Sequence, residues 1–261
     1  MAAFAGRYAP SPTGPLHLGN LRIALLAWLF ARSAGARFLV RVEDLDRSRS
    51  RAHFERAQLQ DLEAIGLDWD GEVVRQSERQ TLYAAAIARL DAAGLLYPCY
   101  CTRAEIREAA SAPHGPFPEG AYPGTCRRLS ALARREREAT SRPPALRLDA
   151  GAVTVGFTDR VQGDYEGVVD DLVVRRNDGA RLAKRHGAVT LDDRRALGES
   201  GADVRAGLLR SVGLPGELDE ARAAFDPAAL PTEPTVLAHE ANAVGGLASP
   251  SCDSERSELR R

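Results

Sequence analysis

The alternation of apolar and polar positions predicts a strand over residues 4–9. The next six residues, Pro10-Ser11-Pro12-Thr13-Gly14-Pro15, forbid regular structure, because each proline removes a backbone donor and fixes φ. From Gly19 to about Ser33 apolar residues lie on nearly every side of a predicted helix, and Gly35 supplies its stop. Phe38-Leu39-Val40-Arg41-Val42 then reads as a second strand. Strand, helix and strand in that order form a βαβ unit. Its right-handed crossover puts the proline-rich loop at the carboxyl end of a parallel strand and the amino end of a helix, where backbone N–H groups and the macrodipole attract phosphate. A nucleotide site is expected there.

Residues 51–96 carry two helical patterns, one through Phe54, Leu59, Leu62 and Ile65 and one through Leu82, Ile87, Leu90 and Leu95, and both are expected to face a core. Over 97–128 the texture changes to Cys, Pro and Gly, and an Arg/Glu-rich helix follows over 129–139, together an inserted subdomain. Strands are predicted at 145–148, 153–157 and 168–175, ending in a turn at Asn177-Asp178-Gly179. A helix is expected over 204–212. Beyond about Pro231 the composition predicts disorder. There is no internal repeat.

Composition narrows the classes. With 44% hydrophobic and 27% charged residues the chain can build a sizeable core, which excludes disorder throughout. Thirty-five cations against 36 acids leave a net charge of -1, so contact with nucleic acid requires a local patch. The apolar run over 23–30 is far too short to span a bilayer, and no membrane partner is expected. The N-terminus lacks the pattern of a signal peptide, so the four cysteines read as reduced and the expected location is cytoplasmic. Lys184 is the only lysine. Coding bias with one chance survivor is one reading; the other is that this position needs a compact, rotatable ammonium, as at a nucleotide phosphate.

The first loop carries neither the G-x-G-x-x-G fingerprint nor a lysine-bearing P-loop. His17 and Asn20 stand at the helix start, where imidazole and amide can donate to phosphate oxygens, and Gly19 lets backbone approach a ligand. Taken alone, His17 reads more simply as a capping or packed residue. Cys99, Cys101 and Cys126 are three soft ligands close in sequence, a signal for structural zinc. Chemistry alone would select His114 as the fourth ligand. Cys252 reads as a free thiol. The arginines at 127, 128, 134, 135 and 137 offer an RNA-binding patch, although such a run is more often a solvated helix face.

In combination these segments resemble the class I aminoacyl-tRNA synthetases, specifically the glutamyl branch, with His17-Leu18-Gly19-Asn20 in place of the HIGH tetrapeptide. Arg41-Val42-Glu43-Asp44-Leu45-Asp46 follows the second strand, and Arg181-Leu182-Ala183-Lys184-Arg185 resembles a KMSKS loop. The resemblance runs from about Gly6 to Leu214, with no start of an anticodon-binding domain after it. A catalytic core with this cysteine pattern looks like the glutamyl-Q tRNA(Asp) synthetases, which activate glutamate with ATP and transfer it to queuosine in the anticodon of tRNA(Asp). That resemblance implies an α/β fold: a Rossmann-like catalytic core over 1–96, a zinc-binding insertion over 97–150, the remainder of the core with its lysine loop and helical end over 151–230, and a disordered tail over 231–261. It implies Arg7 on the side-chain carboxylate of glutamate, with Tyr8, Ala9, Pro10 and Ser11 around it and Glu43 on its ammonium. It places His17, Gly19, Asn20 and Lys184 on ATP, supplied with Mg2+, and makes Tyr122 the fourth zinc ligand beside Cys99, Cys101 and Cys126.

One departure follows from the same resemblance. Relatives carry several secondary-structure elements between a strand like 170–176 and the lysine loop, including a tyrosine and an arginine of the glutamate pocket. Here Asn177-Asp178-Gly179-Ala180 runs straight into Arg181. An in-frame deletion is expected, leaving a hairpin or an incomplete sheet and weak or absent turnover. The alternative from another class is a catalytically inactive, zinc-stabilised remnant that keeps nucleotide or RNA affinity. A fragment of an ordinary glutamyl-tRNA synthetase is the third reading and ranks last.

Overall fold

The structure, a computed structural model, describes residues 4–102, 104–106, 108, 122–139, 143–176 and 189–233. Strand β1 (Ala5–Tyr8) pairs in parallel with β2 (Arg37–Val42), which pairs in parallel with the short β3 (Val74–Arg75). Helix α1 (Leu18–Ser33) makes the crossover between the first two. Gly6 permits the close packing: a Cβ there would lie 2.8 Å from the Cβ of Ala31. Gly35, at φ +63, provides the left-handed turn that ends the helix.

Helix α1 buries Leu21, Ala24, Leu25, Trp28, Leu29 and Ala31, a wide apolar face suited to a helix covering a parallel sheet. They join Phe38 and Val40 of β2, Leu62 of α2 (Ala52–Ala64) and Ile65 in the main core. Leu191 of α5 (Leu191–Ala196), Val204, Leu208 and Leu209 of α6 (Gly201–Arg210) and Ala221 of α7 (Leu218–Ala223) complete it from the far end of the chain. Contact between α2 and α6 requires glycine at 201, where a Cβ would fall 2.1 Å from the Ala64 carbonyl oxygen. The polar rim is equally specific. Trp28 donates its indole N–H to Asp68, Arg32 pairs with Asp68 and Asp70, and Asp70 accepts from the Phe38 backbone, tying α1 to β2.

A second body is antiparallel: β4 (Leu96–Cys99), β5 (Ala145–Leu148) and β8 (Val173–Arg175), in the order β4-β5-β8. Its small core is Tyr97, Cys99, Tyr100, Tyr122 and Cys126. Helix α4 (Ala131–Glu138), capped by Ser130, is the expected Arg/Glu-rich helix.

Two expectations change. Helix α3 (Gln80–Ala92) exists but buries no residue, with Leu82 56% exposed; the sheet stops at a two-residue strand and leaves it no apolar layer to cover. The single strand expected over 168–175 is two elements, because residues up to Val168 belong to β7 (Gly163–Val168), which forms a hairpin with β6 (Thr154–Asp159). The sequence Gly-Asp-Tyr-Glu-Gly-Val has too little alternation to announce a strand; register with β6 makes it one. Among the described residues β1 pairs only with β2, so it is a sheet edge, whereas a doubly wound fold continues past its first strand. Among the described residues the parallel sheet has three strands, as expected of an incomplete sheet; the turn at 177–180 and the predicted tail beyond 233 lie outside the described residues. Among the described residues no helix is long and apolar enough to cross a membrane.

Candidate active site and metal centre

The end of β1 and the start of α1 are built around His17. Its Nδ1 accepts from the backbone N–H of Asn20 at 3.2 Å, and the Asn20 side-chain oxygen accepts from the His17 N–H at 3.3 Å, a reciprocal cap. The capping role and the ligand role are compatible. With Nδ1 accepting, the neutral imidazole carries its proton on Nε2 and is a donor there. The Asn20 amide nitrogen is likewise left as a donor. Gly19 makes the cap fit, since a Cβ would approach the ring of His17 to 3.1 Å.

The preceding loop has few donors of its own, so its carbonyls are satisfied from outside. Glu43 N–H donates to Pro10 at 2.8 Å, Arg51 N–H to Pro12 at 3.0 Å, and the buried amide of Gln58 to Ser11 and Gly14 at 3.0 and 2.7 Å. These bonds bring Glu43 against the stretch of Tyr8, Ala9, Pro10 and Ser11. The Glu43 carboxylate is nearly buried and pairs with Arg41 at 3.0 Å, while Asp44 accepts from the backbone and hydroxyl of Ser77. Arg7 is exposed on β1, on the same face as Leu39 and Arg41 by strand alternation. Tyr8 is buried, which raises its phenol far above the ordinary value.

The far end of the chain returns to this place. Leu18 N–H donates to the Val189 carbonyl at 2.8 Å, and His17 and Thr190 form an antiparallel bridge. Thr190 in turn caps α5 through a reciprocal box with Asp193. Lys184 lies outside the described residues, five positions before Val189. A chain of that length spans at most about 17 Å from an anchor that touches the His17 cap.

In the second body Cys99, Cys101 and Cys126 place their sulfurs within 4.8 Å of one another. A tetrahedral zinc with thiolates at about 2.3 Å sets its sulfurs about 3.8 Å apart, so the three fit a metal. The phenol oxygen of Tyr122 is 3.5 Å from the sulfurs of both Cys99 and Cys101 and accepts from the Cys126 N–H at 2.8 Å. It converges on the same cluster as the three sulfurs. His114 and Cys252 lie outside the described residues. The crowding of sulfur is electrostatically marked: hydrogen bonds from Cys101, then Cys126, pull the Cys99 thiol far down, while hydrogen bonds with Cys126, then Cys99, and burial push Cys101 far up.

Three arginines of the run are held by neighbours, though Arg128, one of the three, and Arg135 remain exposed. Arg127 pairs with Asp149 and Asp171, Arg137 with Glu105, and Arg128 donates to the Pro123 carbonyl.

Three residues of these sites escape the motif reading. Gln58 left a trace, as one polar residue four positions from Phe54 and four from Leu62 on an otherwise apolar stripe. Thr190 left only its Thr-x-x-Asp capping pattern, and Arg147, stacked on Tyr122, left none.

Comparison with known proteins agrees with this geometry. Residues 4–193 match the family described as tRNA synthetases class I (E and Q), catalytic domain. A glutamyl-Q tRNA(Asp) synthetase of Nocardia farcinica is 48% identical over 306 aligned positions, covering 95% of this chain and 96% of that protein. Another, from Symbiobacterium thermophilum, is 41% identical over 320 positions, covering 93% and 99%. Since 95% of 261 residues is about 248, roughly 58 of the 306 positions have no counterpart here, and with both proteins covered nearly end to end the shortfall is internal. A crystal structure of a glutamate tRNA ligase from Elizabethkingia meningosepticum in complex with its amino acid superposes at a TM-score of 0.53 with 29% identity, covering 68% of this chain and 39% of that one. This chain therefore spans about two fifths of that ligase. The parallel βαβ unit, the His17 cap and a match over three quarters of its length together establish that the chain belongs to the class I tRNA synthetases for glutamate and glutamine.

Proposed function

We propose that the chain is a glutamate-activating ligase of the glutamyl-Q type, which forms glutamyl-adenylate from glutamate and ATP and passes the glutamyl group to queuosine in tRNA(Asp), with turnover weakened by its missing internal segment. The observation that carries the reading is the bridge between His17 and Thr190, which anchors the exit of the lysine loop on the helix cap that would receive the triphosphate.

In this reading Arg7 holds the side-chain carboxylate of glutamate within the loop of Tyr8, Ala9, Pro10 and Ser11, and Glu43 takes the ammonium in competition with Arg41. The α-carboxylate attacks the α-phosphorus of ATP and pyrophosphate departs. His17 through Nε2–H and Asn20 through its amide donate to phosphate oxygens, with Gly19 allowing close approach. Lys184 offsets the charge that develops at the α-phosphate. A hydroxyl of queuosine then takes the glutamyl group and AMP leaves. The magnesium accompanying ATP enters with that substrate.

Cys99, Cys101, Cys126 and Tyr122 would hold one zinc ion per chain, which supplies folding energy to the insertion rather than chemistry. Tyr122 is preferred to His114 because its oxygen already converges with the sulfurs.

Pyrophosphate–ATP exchange on the purified chain, with glutamate and with glutamine and aspartate as controls, tests the proposal. Slow exchange specific to glutamate is expected, followed by transfer to queuosine-containing tRNA(Asp). Exchange with aspartate or glutamine instead refutes the amino-acid assignment. No exchange from a folded, metal-loaded sample favours the second reading, a catalytically inactive remnant, to which the edge of β1, unpaired among the described residues, lends weight.

A further inference from the structure

Arg147 is a buried cation without an anion. It is 6% exposed, and its guanidinium sits over the Tyr122 ring, 3.8 Å from the centroid. It donates to the Asp171 backbone carbonyl at 2.6 Å, while its Nε has no partner. The Asp171 carboxylate is committed elsewhere, to Tyr97, Arg127 and the Ala150 N–H. Among the described residues Arg147 has no carboxylate within ion-pair distance. A buried guanidinium in that condition is costly unless negative charge is placed beside it.

The cysteine cluster is where such charge arises. Three thiolates and a tyrosine oxygen on a divalent ion leave a net charge of minus one with a neutral phenol and minus two with a phenolate. That excess is buried and meets Arg147 through the Tyr122 ring. We infer that Arg147 is the counter-charge of the metal-loaded cluster and the residue that sets its affinity, acting largely through Tyr122. The inference rests on the proposed zinc reading. The hydrogen bonds around Tyr122 point the same way: its backbone N–H is held by Asp170 and its oxygen by the Cys126 N–H, so the ring is fixed beneath the guanidinium.

The test is zinc affinity of the full chain, measured by competition with a chromophoric chelator, for wild type, Arg147→Met, Arg147→Lys, Tyr122→Phe and the double variant Arg147→Met/Tyr122→Phe. Cobalt(II) absorption reports thiolate ligation independently. Arg147→Met is expected to weaken zinc binding about 10- to 100-fold, the range for partners that support a ligand, and Arg147→Lys to recover part of it. In the Tyr122→Phe background the loss on removing Arg147 should be several-fold smaller. Unchanged affinity and cobalt spectrum in Arg147→Met overturn the inference, as does an equal loss with and without the Tyr122 hydroxyl. Equal loss in Met and Lys variants would mean packing rather than charge and also overturns it. Failure of the wild type itself to bind zinc or cobalt refutes the zinc reading instead.

Discussion

Gln58 and Asp61, three residues apart on α2, carry different burdens. Gln58 replaces donors that three prolines removed; its loss would leave the Ser11 carbonyl with only the Thr13 N–H and take the bond from the Gly14 carbonyl. Asp61, three residues on, is buried between α2 and α5 and faces Arg195 at 3.4 Å, with Asp192 beyond. Burial pushes its carboxyl up to about 6, Arg195 drawing it down and Asp192 raising it. The folded chain therefore binds this proton more tightly than the unfolded chain, so the contribution of Asp61 to stability grows as pH falls from about 6 toward 4. Asp61→Asn should be more stable than wild type at about pH 7.5, by roughly 1 kcal/mol once screening by solvent is allowed for, and should lose this advantage near pH 4. Urea unfolding of both proteins across that range checks it; parallel curves would refute the assignment. At Lys184 the expectation concerns shape. If a compact ammonium is required, Lys184→Arg should lose ATP affinity nearly as much as Lys184→Ala, about tenfold or more by titration calorimetry, and retention of affinity in the arginine variant would remove the argument.

Among the elements, helices were the more legible. Wide apolar faces announced α1 and α2, whose burial requires only that some sheet lie beneath. Helix α3 carries a similar pattern and covers nothing, because an apolar stripe states what a helix is able to bury and not whether a partner exists. The β6–β7 hairpin was hidden for the opposite reason: its pairing is set by register, which polar and glycine-rich strands do not advertise. The cysteine body is small, and its core of three tyrosines and two cysteines is too slight to hold it alone. Removing the metal with a chelator should therefore loosen the segment around β4 and β5 before the parallel sheet, a difference on the order of 10 kcal/mol in apparent folding energy. Hydrogen exchange with and without chelator measures this. Faster exchange in 96–99 and 145–148, with 18–33 unchanged, is the expected result.

For the whole molecule the missing segment outweighs every local effect. Strand β1 carries the loop of the candidate site, yet its outer edge is unpaired among the described residues, and roughly 58 positions of a relative have no counterpart here. Losing one charged partner of an amino-acid substrate costs roughly 2–5 kcal/mol, or about 30- to several-thousand-fold, before the missing sheet is counted. Inserting the corresponding segment of the Nocardia farcinica relative between Ala180 and Arg181 should raise glutamate-dependent pyrophosphate exchange at least about 30-fold, by the same estimate. An insertion that folds without raising exchange would show that the segment is not what limits this chain.

The βαβ unit, the capped helix start, the cysteine cluster and the family itself were readable in the chain, because each is written in local spacing: proline and glycine positions, helical periodicity, and cysteines close in sequence. Gln58, Thr190 and Arg147 were not, since each acts on residues distant in sequence, and no local pattern states which segments will meet. The sequence by itself determined which groups are available for chemistry. Only the tertiary structure decided that 189–190 would seat on His17, that a buried guanidinium would lie on Tyr122, and that β1 would be an edge strand among the described residues, because those outcomes depend on long-range packing and on strand pairing between distant segments.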